Sequence, residues 1–308
     1  MRYPTHTPKV FLRKCLWGFL CSSWLIILSP GSSKAQTHSD TLLSPKKVWL
    51  PWVAGGAAYA GGMVGLSQIW YTDTQSRFHF FNDNAQWKQL DKAGHFYSAY
   101  HLGRFGYDAL APTALSENTK LWLGGGLGFV LLFPIEILDG FSPDYGASWG
   151  DWGANLMGSL AFIAQQKWAR QQLVQPKFSF RRSPWAALRP ELLGDGLHEE
   201  WLKDYNGQTY WLSLDLHGLS GGGAFPKWLN LAVGYGANGM VHSRTGQNQA
   251  NGFRAYRQYY LALDLDFSYL KPRSKVLRGL LWLINCIKIP TPALELRRGE
   301  LRGRGLMF

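Results

Sequence analysis

Near Lys177 the hydrophobic periodicity of this chain changes, and that change limits the fold more than any single motif does. Before it, apolar residues come in long glycine-rich runs. After it, apolar and polar residues alternate. Val48–Tyr71 is an uncharged run as long as a bilayer-crossing helix requires, with Lys46 and Lys47 before it and Trp70 and Tyr71 at its end. Its Gly61 and Gly65 form a GxxxG step on which another helix can pack closely. A helix is expected over about Gln89–Leu110. A second apolar run, Lys120–Asp139, contains Gly124, Gly125, Gly126 and Gly128, and its Pro134 is expected to kink it or free a carbonyl near Glu136. Ser116 or Asn118 is placed to cap that helix, and Ser148 to cap a fourth over roughly residues 149–172.

Beyond Lys177 the clearest segment is Tyr259–Leu270. One face reads Tyr259, Leu261, Leu263, Leu265, Phe267, Tyr269; the other reads Tyr260, Ala262, Asp264, Asp266, Ser268, Leu270. This is the period of a half-buried strand. Tyr210–Leu216 and Leu229–Tyr235 repeat it, and shorter strands are expected at 292–298 and 303–308. Three strong strands and about three weak ones fall short of the roughly eight that a single-chain barrel needs. The expected fold is therefore α+β. A bundle of about four apolar helices over 47–172 precedes an antiparallel β region over 173–308, an open sheet or partial barrel packed on the helices or on a membrane. Ser274–Ile289 reads as a basic amphipathic helix that lies on a membrane or covers the sheet.

The first residues read as an export signal. Arg2, Lys9, Arg13 and Lys14 precede the apolar stretch Leu16–Leu28, and Ser33-Lys34-Ala35 is a small-x-small cleavage site. Residues 1–35 are thus expected to be a signal peptide and 36–46 a linker, with the mature protein in the periplasm or on an envelope membrane. The apolar helices pull toward the inner membrane, the strands and Phe308 toward the outer one. Cys286 is the one cysteine beyond the signal, which excludes an intrachain disulfide in the mature chain. The formal charge of +12 is concentrated at the ends: residues 36–270 hold 18 basic and 18 acidic side chains, residues 271–308 nine and two. On an exported chain a basic tail suits anionic lipid or lipopolysaccharide, with envelope proteins as further partners, and not nucleic acid.

Three polar pairs interrupt the helical half: Asp91 with His95, Glu136 with Asp139, and Asp151 with Asn155. Spacings of three and four put each pair on one helix face, in segments where unpartnered ionisable groups are costly. Together they predict one shared polar site. Asp91, His95, Glu136, Asp139 and Asp151 are of the types that ligate a divalent metal, whose bound water would attack an ester. A histidine–carboxylate pair can also serve as a general base, or the groups can pin three helices in register. His101 lies off the His95 face, while Lys92 and Arg104 are able to neutralise carboxylates, though solvated or snorkelling side chains are the commoner outcome for such residues. No HExxH, GxSxG or nucleotide-binding loop occurs. The leading reading is a non-enzymatic, membrane-associated envelope maintenance or assembly factor; the alternative is a metal-dependent hydrolase or lipid-modifying enzyme.

Asp91-Lys92-x-x-His95-Phe96, Glu136-x-x-Asp139 and Ser148-x-x-Asp151-x-x-x-Asn155-x-x-Gly158 together resemble an uncharacterised family of predicted periplasmic lipoproteins, the YfiM-like proteins. More distantly the pattern looks like the VanZ-like membrane proteins. The resemblance covers about residues 48–165 and implies an envelope location without an assigned activity. Two features depart from it: Gly18-Phe19-Leu20 before Cys21 is not a lipobox, and the β-rich half has no counterpart in the short members. That half, with Tyr205-Asn206-Gly207 and Gly234-Tyr235-Gly236, is similar to longer members from Bacteroidetes-type bacteria.

Overall fold

The computed structural model of the protein describes residues 49–71 and 76–307. The expected signal, linker and terminal Phe308 lie outside them. Two compact units are present: residues up to His79 with Ile137–Ala147, and Phe80–Glu136 with Ser148–Phe308. The division does not follow the change of periodicity, because most of the helical segments belong to the same unit as the sheet.

The first unit holds α1 (Trp49–Trp70) and the last turn of α3 (Glu117–Gly140). Its chain segments are joined by Tyr71, whose hydroxyl donates to Asp139 at 2.7 Å, and by the His79 amide, which donates to the Gly140 carbonyl at 2.9 Å. The GxxxG step of α1 is not used in packing: a Cβ at Gly61 or Gly65 would meet nothing within 4 Å among the described residues.

In the second unit, α2 (Leu90–Leu110), α3 up to Glu136 and α4 (Trp149–Trp168) come together through glycine. A Cβ on Gly128 would lie 1.9 Å from the Ala99 carbonyl oxygen, and one on Gly158 2.3 Å from that of Phe96. The close approach foreseen at Gly61 and Gly65 thus occurs on other helices. Ser116 accepts the Thr119 amide and Ser148 the amides of Gly150 and Asp151, so both caps form. Helix α3 continues through Pro134. Helix α4 stops at Trp168, before residue 172, and Arg170 follows with φ of +55°.

The β region is one antiparallel sheet in sequence order: β1 (Val174–Phe180), β2 (Gln208–Asp215), β3 (Leu229–Asn238), β4 (Tyr256–Leu265), β5 (Thr291–Arg297) and β6 (Glu300–Met307). It does not close into a barrel. The outer edge of β1 instead meets the segment before β5: the Phe178 amide donates to the Cys286 carbonyl at 3.1 Å, and the Lys288 amide to the Phe178 carbonyl at 2.9 Å. Strand β4 ends at Leu265, not Leu270, because Asp266 folds back to accept the Ser268 amide and Asn285 takes the Phe267 amide.

The faces of this sheet are inverted relative to a soluble protein. Leu212, Val233, Leu261 and Leu294 are direct register neighbours and all are exposed, as are Leu263, Leu296, Leu301 and Leu306. The opposite face buries Trp211, Tyr260, Ala232 and Ala262 together with Lys177, Ser213, Asn230, Asp264 and Glu295, each of these five polar residues at 0% exposure. Most of those polar groups pair with one another, though Asn230 Oδ1 and Asp264 Oδ1 accept no hydrogen bond. Lys177 Nζ lies 2.7 Å and Lys288 Nζ 3.6 Å from Asp264, Ser213 donates to Asp264 at 2.7 Å, and Arg304 pairs with Glu295 at 2.6 Å. Helix α5 (Lys275–Asn285) follows the same rule: Asn285 is buried and donates to Gln175 and Asp266, while Val276, Leu277, Leu280, Leu283 and Ile284 are exposed.

Candidate functional site: a buried carboxylate–histidine centre

A strained turn sets the start of α2. Trp87, Lys88 and Gln89 all have positive φ, between 46° and 63°, a conformation costing roughly 1–3 kcal/mol per residue. Partners hold it: the Trp87 amide donates to Ser243 at 2.8 Å, Tyr235 donates to the Lys88 carbonyl, and Arg257 donates to Gln89 at 2.8 Å. One turn later the helix presents Asp91, Lys92 and His95. Opposite them stand Glu136 of α3 and Asp151 and Asn155 of α4, each at or below 4% exposure.

His95 is at the middle. Its Nδ1 lies 3.0 Å from Asn155 Oδ1, and because an amide oxygen only accepts, Nδ1 carries the hydrogen. Its Nε2 faces Glu136 Oε1 at 3.6 Å, Asp151 Oδ1 at 3.7 Å and Asp91 Oδ1 at 3.8 Å, all beyond hydrogen-bond length. Lys92 is the second cation. Its Nζ reaches Asp83 at 2.6 Å, Asp151 at 2.7 Å and Asp91 at 3.1 Å. The periphery is fixed by hydrogen bonds: Tyr205 donates to Asp91 at 3.0 Å, the Ser148 amide to Glu136 at 3.2 Å, and the Ser148 hydroxyl to Asp83 at 2.6 Å.

Burial would drive the imidazolium of His95 down, but Asp151, Asp91 and Glu136 outweigh it and hold the group up at about 9. Burial and the adjacent Asp91 carboxylate push Asp151 up to about 7, against the pull of His95 and Lys92. Asp91 goes the other way: burial would raise it, yet His95 and Lys92 keep it below its usual value. Two carboxylates a few ångströms apart are thus driven in opposite directions, as in sites that hold a proton or a cation. Ser148 is no nucleophile, because its hydroxyl donates to Asp83 and accepts two helix amides.

Of the residues singled out in the sequence, the structure brings together Asp91, His95, Glu136, Asp151 and Asn155. Asp139 belongs to the first unit, where it accepts the Tyr71 hydroxyl. Lys92 turns inward among three carboxylates, while Arg104 donates to Gln175 at 3.0 Å, away from the cluster. Asp83 joins from an irregular segment without a sequence signal, and Tyr205, noted in sequence only through the resemblance to longer members, joins from the turn before β2. His101 is buried against the sheet and donates through Nε2 to the Pro176 carbonyl at 2.8 Å.

Searches of curated proteins and of solved structures gave no match. Residues 79–165 match the model of a family described as predicted periplasmic lipoprotein (DUF2279). The matched stretch carries every member of the cluster except Tyr205, and the sheet lies outside it. The match supports an exported, envelope-associated location and similarity to an uncharacterised periplasmic family.

Proposed function

We propose that this is a non-enzymatic, membrane-associated protein of the cell envelope whose sheet sets its outer face against lipid. The inversion of the sheet carries this reading. Alternation with apolar side chains outward and polar ones inward is the pattern of lipid-facing β structure, and contiguous apolar surface on this scale marks a membrane or protein contact. Helix α5 supports it, with an exposed apolar face and Lys271, Arg273 and Arg278 beside it. The nine basic and two acidic residues of 271–308 favour an anionic surface. In this reading the buried centre pins α2, α3 and α4 in one register and supports the sheet from the helical side.

Flotation with vesicles containing phosphatidylglycerol tests it. The full chain is expected to float, and the triple variant Leu261→Glu/Leu263→Glu/Leu294→Glu to remain at the bottom with its circular dichroism unchanged. Each outward glutamate is expected to cost less than the about 2–4 kcal/mol of a lysine or arginine at mid-depth in hydrocarbon, and least near the interface. Full-chain protein that stays soluble beside vesicles, or a triple variant that floats as well as the parent, would sink the proposal.

A further inference from the structure

We propose that Asp91, His95 and Asp151, with Glu136 completing the shell, form a binding site for one divalent transition metal ion of the zinc or manganese class. The ligand atoms of Asp91, His95 and Asp151 lie within 4.8 Å of one another. The three distances from His95 Nε2 to carboxylate oxygens, 3.6 to 3.8 Å, are too long for hydrogen bonds. They are close to the edges of a metal shell, since bonds of about 2.0–2.1 Å in a tetrahedron place ligand atoms about 3.4 Å apart. A contraction of a few tenths of an ångström brings those three edges to that length.

The histidine is prepared for this role. Because Nδ1–H is held by Asn155 Oδ1 at 3.0 Å, the nitrogen left to carry a lone pair is Nε2, the one that faces the carboxylates. Metal-binding histidines are oriented in this way, by a hydrogen bond from the ring nitrogen that does not ligate. Glu136, wholly buried, points an oxygen at the same nitrogen from α3.

Charge favours a dication as well. Asp83, Asp91 and Asp151 bring three carboxylates together around Lys92, which offsets one of them. A doubly charged ion offsets two more, where a protonated His95 offsets one. On binding, the imidazolium proton leaves to solvent, and Lys92 keeps Asp83 at 2.6 Å while yielding Asp151. The His95 and Asp91 side chains are 16% and 24% exposed, so one side of the cluster is open to a small ion. One imidazole with carboxylates suits zinc or manganese better than the thiolate-seeking metals.

The test uses the full chain, purified in detergent, stripped with chelator and equilibrated with Zn²⁺ or Mn²⁺ alone. Bound metal is counted by mass spectrometry after gel filtration, and folding is followed by circular dichroism. The expected result is one ion per chain, with a chelator-reversible rise in melting temperature. His95→Gln/Asp151→Asn is expected to lose at least nine-tenths of the metal, and Asn155→Ala to weaken binding by about 10–100-fold. Lys92→Gln separates this site from a purely structural ion network: it is expected to bind the ion at least as tightly and to recover its melting temperature when loaded. Folded parent protein that takes up neither metal overturns the proposal, as does a folded His95→Gln/Asp151→Asn variant that keeps its ion. Lys92→Gln unrescued by either metal overturns it too. Flotation is independent of these outcomes.

Discussion

A single methyl group at Gly128 is enough to test how the helices are held. It would sit 1.9 Å from the Ala99 carbonyl oxygen and 2.8 Å from Ser159 Oγ, so the α2 backbone would have to move and the Ser159 hydroxyl turn aside. Gly128→Ala is expected to lower stability by about 2–3 kcal/mol, read as a drop in melting temperature. Gly126→Ala, two residues earlier, meets nothing within 4 Å. It is expected to be neutral or to stabilise by up to about 1 kcal/mol through helix propensity. His101 offers a second measurement. Burial, with Arg104 and Lys177 nearby, lowers its imidazole to about 3. Unfolded, the ring takes its proton near pH 6.5. Between those values the unfolded chain holds more protons, so stability falls with pH below 6.5, by about 2 kcal/mol at pH 5. His101→Gln is expected to flatten the stability–pH slope between pH 6.5 and 5 relative to the parent. Neither role was legible in sequence, because a run of glycines does not say which of them faces a neighbour. The spacing of Asp91 with His95 and of Asp151 with Asn155 was legible, since helical periodicity alone puts each pair on one face. The same rule set Asp139 beside Glu136, and there a tertiary contact with Tyr71 decided otherwise.

Alternation located β2, β3 and β4 to within a few residues, but it could not say which face is inside. Period two is the same for a strand with its leucines in a core and for one that turns them outward; only the placement of Lys177, Asp264 and Glu295 at 0% exposure distinguishes the two. Strand β1 (VQPKFSF) is hard to read for a related reason: it hides a lysine and a glutamine and contains a proline. The buried charges make a direct prediction. Asp264→Ala would strand Lys177, 2.7 Å away, and Lys288, 3.6 Å away, in the sheet interior. A loss of about 3–5 kcal/mol is expected from denaturant unfolding in detergent. Lys177→Met/Asp264→Leu is expected to recover part of it, since paired apolar replacements of a buried ion pair are often tolerated.

For the β region, a face of buried charges and an exposed aliphatic face make the proposed lipid surface part of the fold. Purified without amphiphile, the chain is expected to elute from gel filtration as large, polydisperse species, and with detergent as one sharp peak. The two profiles coinciding would argue that the outward leucines are harmless in water. Strand β6 lies at an edge of the sheet, with Glu300, Arg302 and Arg304 as its charged residues, while edge strands invite pairing between chains. In water the hairpins of such a sheet would find each other before they found the proposed lipid surface. On the proposed membrane reading the inverted sheet sets a problem of delivery: Leu261, Leu263 and Leu294, all exposed, would need shielding from water until hydrocarbon takes its place.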